Sequence, residues 1–257
     1  MENLLTDKQD HIRWLTLNRP ERRNALDRDT IYALKAALAE SARDADTRLV
    51  VLTGAGGAFS SGADLLAAPS QPTTPGEELT EDGFNAVIRM IWNLSKPVIA
   101  AVDGVATGYG CSLALAADIR LASPAARFSL IFVKRGLTID GGASYFLPRL
   151  AGLRGMEMAL TGEMIDATEA AHMGLVNRIL SGDNFREQVA AYASRLAKNA
   201  PLALATIKAS IHNALGAGLG DVLTAEMAEQ RKLLQSEDVK EGIRAFREKR
   251  DPVYTGR

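Results

Sequence analysis

Short hydrophobic runs bounded by turn residues recur along the first half of the chain and predict strands. The run at 12–17 alternates apolar and polar positions, and the run at 49–53 is β-branched and closed by glycines. Residues 97–102 and 118–122 predict two further buried strands, and 127–132 is an additional candidate. The chain therefore contains several short strands, none long enough to stand alone.

Between and after these runs, apolar residues recur at helical spacing. The pattern predicts helices at 30–42, 83–94, 111–117, 153–161 and 168–173. Asp27 is a suitable N-cap for the first of them. Because strands and helices alternate, we predict an α/β fold for this part of the chain.

The end of the chain has a different pattern. From residue 184 onward it is almost entirely helical, apart from a break at Ala200–Pro201. We expect an α/β core at 1–195 and a helical C-terminal region at 196–257. Residues 67–76 are rich in proline, threonine and serine, which predicts a mobile surface segment.

Composition and charge exclude several classes of function. A net charge of −1 lacks the basic excess of a nucleic-acid-binding domain, and Cys111 is the only cysteine, which excludes an internal disulfide or a Cys-rich zinc site. Residues 1–10 are polar and acidic, unlike a signal peptide. No apolar run reaches the ~18 residues that indicate a membrane span. We expect a cytoplasmic protein without nucleic-acid or membrane partners.

Two glycine-containing segments are candidates for chemistry. Residues 59–65 (FSSGADL) and 103–114 (DGVATGYGCSLA) each follow a predicted strand, and the second leads into a helix. Glycine permits close approach to the backbone, and the first N–H groups of a helix have no internal partner. Two such N–H donors aimed at one carbonyl oxygen would form an oxyanion hole.

Either segment alone has an ordinary structural explanation. A glycine-rich turn between a strand and a helix often serves only tight packing. The second segment lacks the third glycine of a dinucleotide fingerprint and the Gly-Lys-Ser/Thr of a P-loop. The serines have no recognisable histidine partner, so a serine hydrolase is not indicated.

Taken together and in this order, the two segments resemble the enoyl-CoA hydratase/isomerase (crotonase) family. The resemblance extends over residues 10–257. Further matching segments are 17–20 (LNRP), 24–26 (NAL), 96–102 (KPVIAAV), 113–118 (LALAAD), 126–128 (ARF), 147–150 (LPRL), 174–176 (GLV) and 246–250 (FREKR).

This resemblance implies a crotonase-type spiral of ββα units whose helical C-terminal region drives assembly into a homotrimer or a dimer of trimers. It implies an acyl-CoA thioester substrate, with coenzyme A bound as part of that substrate and no permanently bound cofactor or metal. The oxyanion donors would be the backbone N–H groups of Ala63 and Tyr109. Since glycine is frequent in the family at position 109, the tyrosine ring is expected to narrow the acyl pocket.

The resemblance also indicates which acid–base chemistry to expect. Hydratases of the family generally use two glutamates, but the corresponding positions here are Ser112 and Phe132, which we assign to the acyl pocket. Asp140 lies in a segment, 136–142 (GLTIDGG), that resembles the enoyl-CoA isomerases in which an aspartate shuttles a proton. We predict that Asp140 removes a C2 proton from a 3-enoyl thioester and returns it at C4.

Three other interpretations remain open for these residues. Asp140 could instead cap a helix that starts at Gly141, a common position for aspartate. In the same fold, the chain could be a hydratase or lyase without the glutamate pair, or a catalytically weak acyl-CoA-binding protein.

Coenzyme A contacts are implied at two places. Arg22, Arg23 and Ala25 resemble the segment that meets the nucleotide end, and Asp64, Leu65 and Leu66 would follow the pantetheine and adenine. Phe246 and Lys249 of a neighbouring subunit would close over the 3′-phosphate. A solvated basic surface explains Arg22 and Arg23 equally well.

Other polar residues are predicted to be structural. His11, His172 and His212 stand apart in the sequence, without metal-ligand spacing. Asp118 is predicted to support the end of its helix or a turn.

Overall fold

The computed structural model describes residues 2–65, 83–181 and 183–257. Leu66 and the segment predicted at 67–76 lie outside the described residues. The strands are β1 (Leu4–Gln9), β2 (Ile12–Leu17), β3 (Leu49–Gly54), β4 (Val98–Val102), β5 (Val105–Thr107), β6 (Ile119–Ala122), β7 (Arg127–Ser129), β8 (Ile165–Asp166) and β9 (Arg178–Ile179). The α-helices are α1 (Arg28–Arg43), α2 (Phe84–Asn93), α3 (Tyr109–Leu115), α4 (Ala143–Thr161), α5 (Ala167–His172), α6 (Phe185–Ala197), α7 (Pro201–Ala214), α8 (Leu219–Leu233) and α9 (Glu237–Glu248).

The strands form two sheets. The larger has the order β1-β2-β3-β4-β6-β9 and is parallel except for the antiparallel β1–β2 pair. The smaller has the order β5-β7-β8. Since β4 and β6 enter the larger sheet while β5 and β7 enter the smaller one, the chain passes from one sheet to the other and then into a helix. This ββα arrangement brings the start of α3 to the edge of the smaller sheet.

The larger sheet is covered on both faces, which explains its continuous hydrophobic runs. Leu15, Val50 and Ala100 belong to the cluster that also includes α1, α2 and α3. Their neighbours Trp14 and Val51 face the opposite side and pack with α6. Alternate residues therefore enter different cores, as the two-residue period of a strand requires.

The strands predicted at 12–17, 49–53, 97–102 and 118–122 are confirmed, as is the capping role of Asp27. The Asp27 carboxylate accepts a hydrogen bond from the Thr30 N–H at 2.8 Å. No hydrophobic pattern predicted β1, because this edge strand buries only Leu4.

One predicted boundary was wrong. The strand expected at 127–132 ends at Ser129, and a 3-10 helix follows at Ile131–Arg135. The helix expected at 153–161 is confirmed, because non-helical backbone at Gly152 separates it from the first part of α4. That first part, residues 143–151, was not predicted, because Pro148 interrupts the helical pattern.

The C-terminal region is helical but more divided than predicted. Besides the break before Pro201, the chain leaves the helix between α7 and α8 and between α8 and α9, and residues 249–257 are not helical. α7 and α8 form a hairpin in which Lys208 is the one buried residue among those described. The hairpin thus exposes most of its own apolar side chains.

Candidate active site

The two glycine segments lie against each other. The Ser60 N–H donates to Val105 O at 2.9 Å, and the Thr107 N–H donates to Ser60 O at 2.9 Å. The Thr107 hydroxyl adds a bond of 3.0 Å to Ser61 O. The segment after β3 is therefore fixed along β5, just before α3 begins.

Glycine is required where the segments touch. A Cβ on Gly62, whose φ is +97°, would lie 2.7 Å from Thr107 O and 3.3 Å from the backbone nitrogen of Tyr109. A Cβ on Gly110 would lie 2.5 Å from Ser60 O. The close approach places the peptide preceding Ala63 next to the first turn of α3.

Neither the N–H of Ala63 nor that of Tyr109 has a backbone hydrogen-bond partner among the described residues. Leu26 and Ala63 form an isolated parallel β-bridge. In it, the Leu26 N–H donates to Gly62 O and Leu26 O accepts from the Asp64 N–H, so Leu26 bonds to the residues on either side of Ala63. The N–H of Ala63 then points away from Leu26. Tyr109 is the first residue of α3, whose first N–H groups have no partner in the helix.

Arg19 and Asn24 support this backbone, and the sequence interpretation gave them no role. The side-chain amide of Asn24, which is buried, donates to Ala55 O at 2.8 Å and to Ala58 O at 2.6 Å. Arg19 donates to Ala25 O at 2.6 Å and forms an ion pair with Asp64 at 3.0 Å. The only sequence signal was their place in the matching segments 17–20 and 24–26.

The Tyr109 side chain is buried, with 1% of its surface exposed. Its hydroxyl donates to Phe84 O at 2.6 Å, and its ring meets that of Phe84 edge to face at 4.6 Å. Burial raises the pKa of the phenol well above its usual value. The ring is thus locked between α3 and the start of α2.

Asp140 lies on the segment between the 3-10 helix and α4. Its Oδ1 is buried and has no hydrogen-bond partner among the described residues. Loss of hydration raises the pKa of this carboxyl to about 6. The capping interpretation is wrong, because α4 begins after Gly142 and has no side-chain cap.

The predicted pocket residues Ser112 and Phe132 are both buried. A Cβ on Gly141 would lie 2.8 Å from Cβ of Ser112, so the residue after Asp140 rests directly on α3. The Leu137 N–H donates to Phe132 O at 3.1 Å, which closes the 3-10 helix before the Asp140 segment. Asp140, Ser112 and Tyr109 therefore share one region of the molecule.

The predicted coenzyme A residues fall into two groups. Arg22 and Arg23 are exposed and their carbonyls accept hydrogen bonds from Ser61, whereas Ala25 is buried. Leu65 is exposed, and the Asp64 carboxylate is already engaged by Arg19. Phe246, 86% exposed, and Lys249 lie at the end of α9, separate in sequence from these loops.

A second polar cluster joins α7 to the core. Lys208 donates to Asp118 at 2.8 Å and to Ile91 O at 2.9 Å, and the Val98 N–H donates to Asp118 at 2.7 Å. The His212 ring stacks on Trp92 at 3.4 Å. Burial lowers the pKa values of Lys208 and His212. Asp118 thus supports the start of β4 and binds a lysine that the sequence did not indicate.

The described residues contain no group of three or more acidic, histidine or cysteine side chains arranged to hold a metal ion. Within the same residues, no helix has both the length and the apolar character needed to cross a bilayer.

Comparison with known proteins gives consistent matches over nearly the whole chain. A sequence model of the family described as enoyl-CoA hydratase/isomerase matches residues 7–257. The 1,2-epoxyphenylacetyl-CoA isomerase of Escherichia coli K12 is 37% identical over 261 residues, covering 100% of both chains. A probable enoyl-CoA hydratase of Rhodobacter capsulatus is 40% identical over 244 residues, covering 95% of this chain and 94% of the relative.

Solved structures match equally well. The enoyl-CoA hydratase from Bacillus anthracis superposes with a TM-score of 0.94 at 32% identity, covering 99% of this chain and 100% of that one.

Proposed function

The chain belongs to the enoyl-CoA hydratase/isomerase family, and on that premise we propose that it is an enoyl-CoA isomerase with Asp140 as its proton shuttle. The expected α/β fold of the crotonase type is confirmed. The protein is accordingly an acyl-CoA-processing enzyme of the crotonase superfamily. Its relatives are named both as hydratases and as isomerases, so the choice between these reactions rests on the residues of the site.

The observation that carries the proposal is the buried, unpartnered carboxyl oxygen of Asp140. A carboxyl with a buried, unpartnered oxygen and a pKa of about 6 can accept and return a proton near neutral pH. At the two positions where hydratases of the family generally have glutamates, Ser112 and Phe132 offer no carboxylate. A single acid–base group suits a proton transfer between two carbons of one substrate better than it suits the addition of water.

The proposed reaction uses one base and two backbone donors. The thioester oxygen of a 3-enoyl-CoA accepts hydrogen bonds from the N–H groups of Ala63 and Tyr109. Asp140 takes a proton from C2, and the electron pair of that C–H bond becomes part of a dienolate whose charge rests on the oxygen. The same carboxyl then returns the proton at C4, and the double bond forms between C2 and C3. One donor of this kind typically contributes ~3–4 kcal/mol to the rate.

Paired assays with 3-enoyl-CoA and 2-enoyl-CoA in deuterated water test this function. We expect interconversion of the two substrates, with deuterium entering at C2 and C4 to the extent that the protonated Asp140 exchanges with solvent before it returns its proton. Formation of a 3-hydroxyacyl product as the main reaction would instead identify a hydratase. Tight binding of both thioesters without turnover or exchange would identify an acyl-CoA-binding protein.

The pH dependence of isomerisation follows from the same carboxyl. The base must be ionised, so we expect kcat/KM to be level above the Asp140 pKa of about 6 and to fall about tenfold for each pH unit below it. A pH–rate profile measures this acid limb. A limb near the ordinary aspartate value of about 4 would contradict the desolvated state of Asp140.

Coenzyme A binding is proposed to use residues around the first glycine segment. Arg22 and Arg23 lie beside Ser61 and are exposed, so their guanidinium groups suit phosphates of the nucleotide. Ala25 and Leu65 complete this side, with Asp64 acting through its ion pair with Arg19. Leu66, expected from the sequence to contribute as well, lies outside the described residues. Phe246 and Lys249 would be supplied by a neighbouring subunit.

The same proposal requires an oligomer, a homotrimer or a dimer of trimers. Apolar residues at helical spacing are exposed along the hairpin of α7 and α8 in the single chain: Ile207, Ile211, Leu215, Leu219, Leu223 and Met227. Contiguous exposed apolar surface of this kind marks an interface. A second copy is the proposed occupant, because these helices lie in the region proposed at 196–257 to drive assembly. Helix α6 ends at Ala197, just after the proposed start of this region at residue 196.

Replacing Leu223 with glutamate should convert the oligomer to monomer, because the interface would have to bury an unpaired charge. Size-exclusion chromatography with light scattering at micromolar concentration measures the change. The control Lys232→Glu, on an exposed position of the same helix, should leave the mass unchanged. A monomeric parent protein, or an unaltered Leu223→Glu oligomer, would contradict the assignment.

The cytoplasmic location expected from the sequence stays a prediction.

A further inference from the structure

We infer that the side chain of Tyr109 is a positioning residue, which holds the Asp140 segment at a fixed place beside the backbone donors and limits the length of the acyl chain. This inference rests on the proposed function and deepens it. It concerns the ring and hydroxyl of Tyr109, whereas the proposed oxyanion donor is the N–H of the same residue.

The first support is the anchoring of the ring. Its hydroxyl is bonded to Phe84 O and its edge meets the Phe84 ring, so the side chain is held at both the α3 and α2 ends. A buried phenol with its hydrogen bond satisfied has no freedom to turn away and admit a substrate. The ring therefore acts as a rigid wall.

The second support is the close approach of the Asp140 segment to that wall. A Cβ on Gly141, whose φ is +56°, would lie 3.0 Å from both Cδ2 and Cε2 of Tyr109. The backbone next to Asp140 thus rests on the ring edge with no space for a side chain. Gly142 follows with φ +76°, and a Cβ there would lie 2.8 Å from the Phe146 ring. Packed aromatic rings thus limit the segment at two consecutive residues.

The third support is that Tyr109 touches both the segment of the proposed oxyanion hole, through its backbone, and the Asp140 segment, through its ring. The backbone nitrogen of Tyr109 approaches Gly62, and its ring approaches Gly141. The distance between the oxyanion donor and the acid–base carboxyl is consequently set by the dimensions of a single side chain. A smaller residue at 109 would keep the donor but leave the Asp140 segment unsupported.

Among the described residues, charged groups near Asp140 do not provide an alternative restraint. Tyr109 is the titratable group that interacts with Asp140 in the part of the chain that the structure describes. Its phenol is neutral at working pH, and burial raises its pKa further. Lys134 and Arg135 of the 3-10 helix are exposed. The restraint on the carboxyl is therefore steric and apolar rather than ionic.

Tyr109→Ala and Tyr109→Phe test the inference as a pair. Tyr109→Phe keeps the ring and should retain most activity and the acid limb of the pH profile. Tyr109→Ala keeps the N–H donor but removes the wall. It should lower kcat for a short 3-enoyl-CoA by about 100-fold, as expected when a reacting group is misplaced. It should also move the acid limb toward about 4, the ordinary aspartate value, and raise the relative kcat/KM for longer acyl chains.

Carbon-13 NMR titration of the Asp140 carboxyl, assigned with Asp140→Asn, gives a measurement that needs no turnover. A pKa that falls in Tyr109→Ala and stays in Tyr109→Phe supports the positioning role, whatever reaction the enzyme catalyses. An unchanged pKa and unchanged chain-length preference in Tyr109→Ala would overturn it. Activity retained in Asp140→Asn would overturn the proposed function instead.

If Tyr109→Ala does not fold, Gly141→Ala tests the position of the Asp140 segment without opening a cavity. Its added Cβ would lie 3.0 Å from the Tyr109 ring and 2.8 Å from Ser112 Cβ and would push the segment away from both, so the acid limb and the NMR pKa should move in the same direction as in Tyr109→Ala. No movement in a folded Gly141→Ala protein would also overturn the inference.

Discussion

Replacing Asp140 with asparagine should lower isomerase turnover by about 10²–10⁴-fold, the usual contribution of a general acid–base group. The amide has nearly the same shape but cannot take the C2 proton. Because the proposed oxyanion donors are backbone groups, they survive the change, and the affinity for acyl-CoA should stay within a few fold. Steady-state kinetics and calorimetric titration with a saturated acyl-CoA measure the two quantities separately.

Asp7→Asn is a matched control, since it makes the same chemical change on the exposed edge strand β1 and should leave turnover unchanged. Loss of folding cannot account for the expected defect. The raised pKa of Asp140 means that the folded state favours the neutral carboxyl, so stability falls as the pH rises from 3.8 to about 6 and the full cost is present above that. Asp140→Asn should therefore be at least as stable as the parent at pH 7. Turnover within tenfold of the parent would refute the assignment of the base.

Replacing Lys208 with methionine should destabilise the protein by ~3–5 kcal/mol, the usual result of removing one partner from a buried ion pair. Lys208 is 8% exposed and binds Asp118 together with the carbonyls of Ile91 and Lys96. Without it, the Asp118 carboxylate would remain largely buried without its cation. Denaturant unfolding at a fixed protein concentration measures the loss, because the proposed oligomerisation would make apparent stability depend on concentration.

Lys240→Met is the matched control, because Lys240 forms an exposed ion pair with Glu237 whose loss should cost less than ~1 kcal/mol. The double variant Lys208→Met with Asp118→Asn should recover part of the lost stability, since no unpaired charge is then buried. A Lys208→Met protein as stable as Lys240→Met would show that the pair contributes nothing to the attachment of α7.

Local patterns in the sequence predicted most of the longer strands and helices. The strands at β2, β3, β4 and β6 follow from hydrophobic runs closed by turn residues, and the start of α1 follows from Asp27. These features depend on side-chain periodicity and on turn and cap chemistry, which operate over a few residues. The same local rules missed β1, whose side chains are mostly exposed, and the first half of α4, where Pro148 and Gly152 interrupt the pattern.

By itself the sequence determined the buried strands, the two glycine segments and the family resemblance that selected Ala63, Tyr109 and Asp140. Only the tertiary structure decided that the Tyr109 ring supports Gly141, that Asp140 caps no helix, and that Lys208 binds Asp118 from 90 residues away. The physical reason is range. Turns and periodic faces are encoded by neighbours in the chain, whereas these contacts depend on how distant segments pack, and no local pattern specifies that packing.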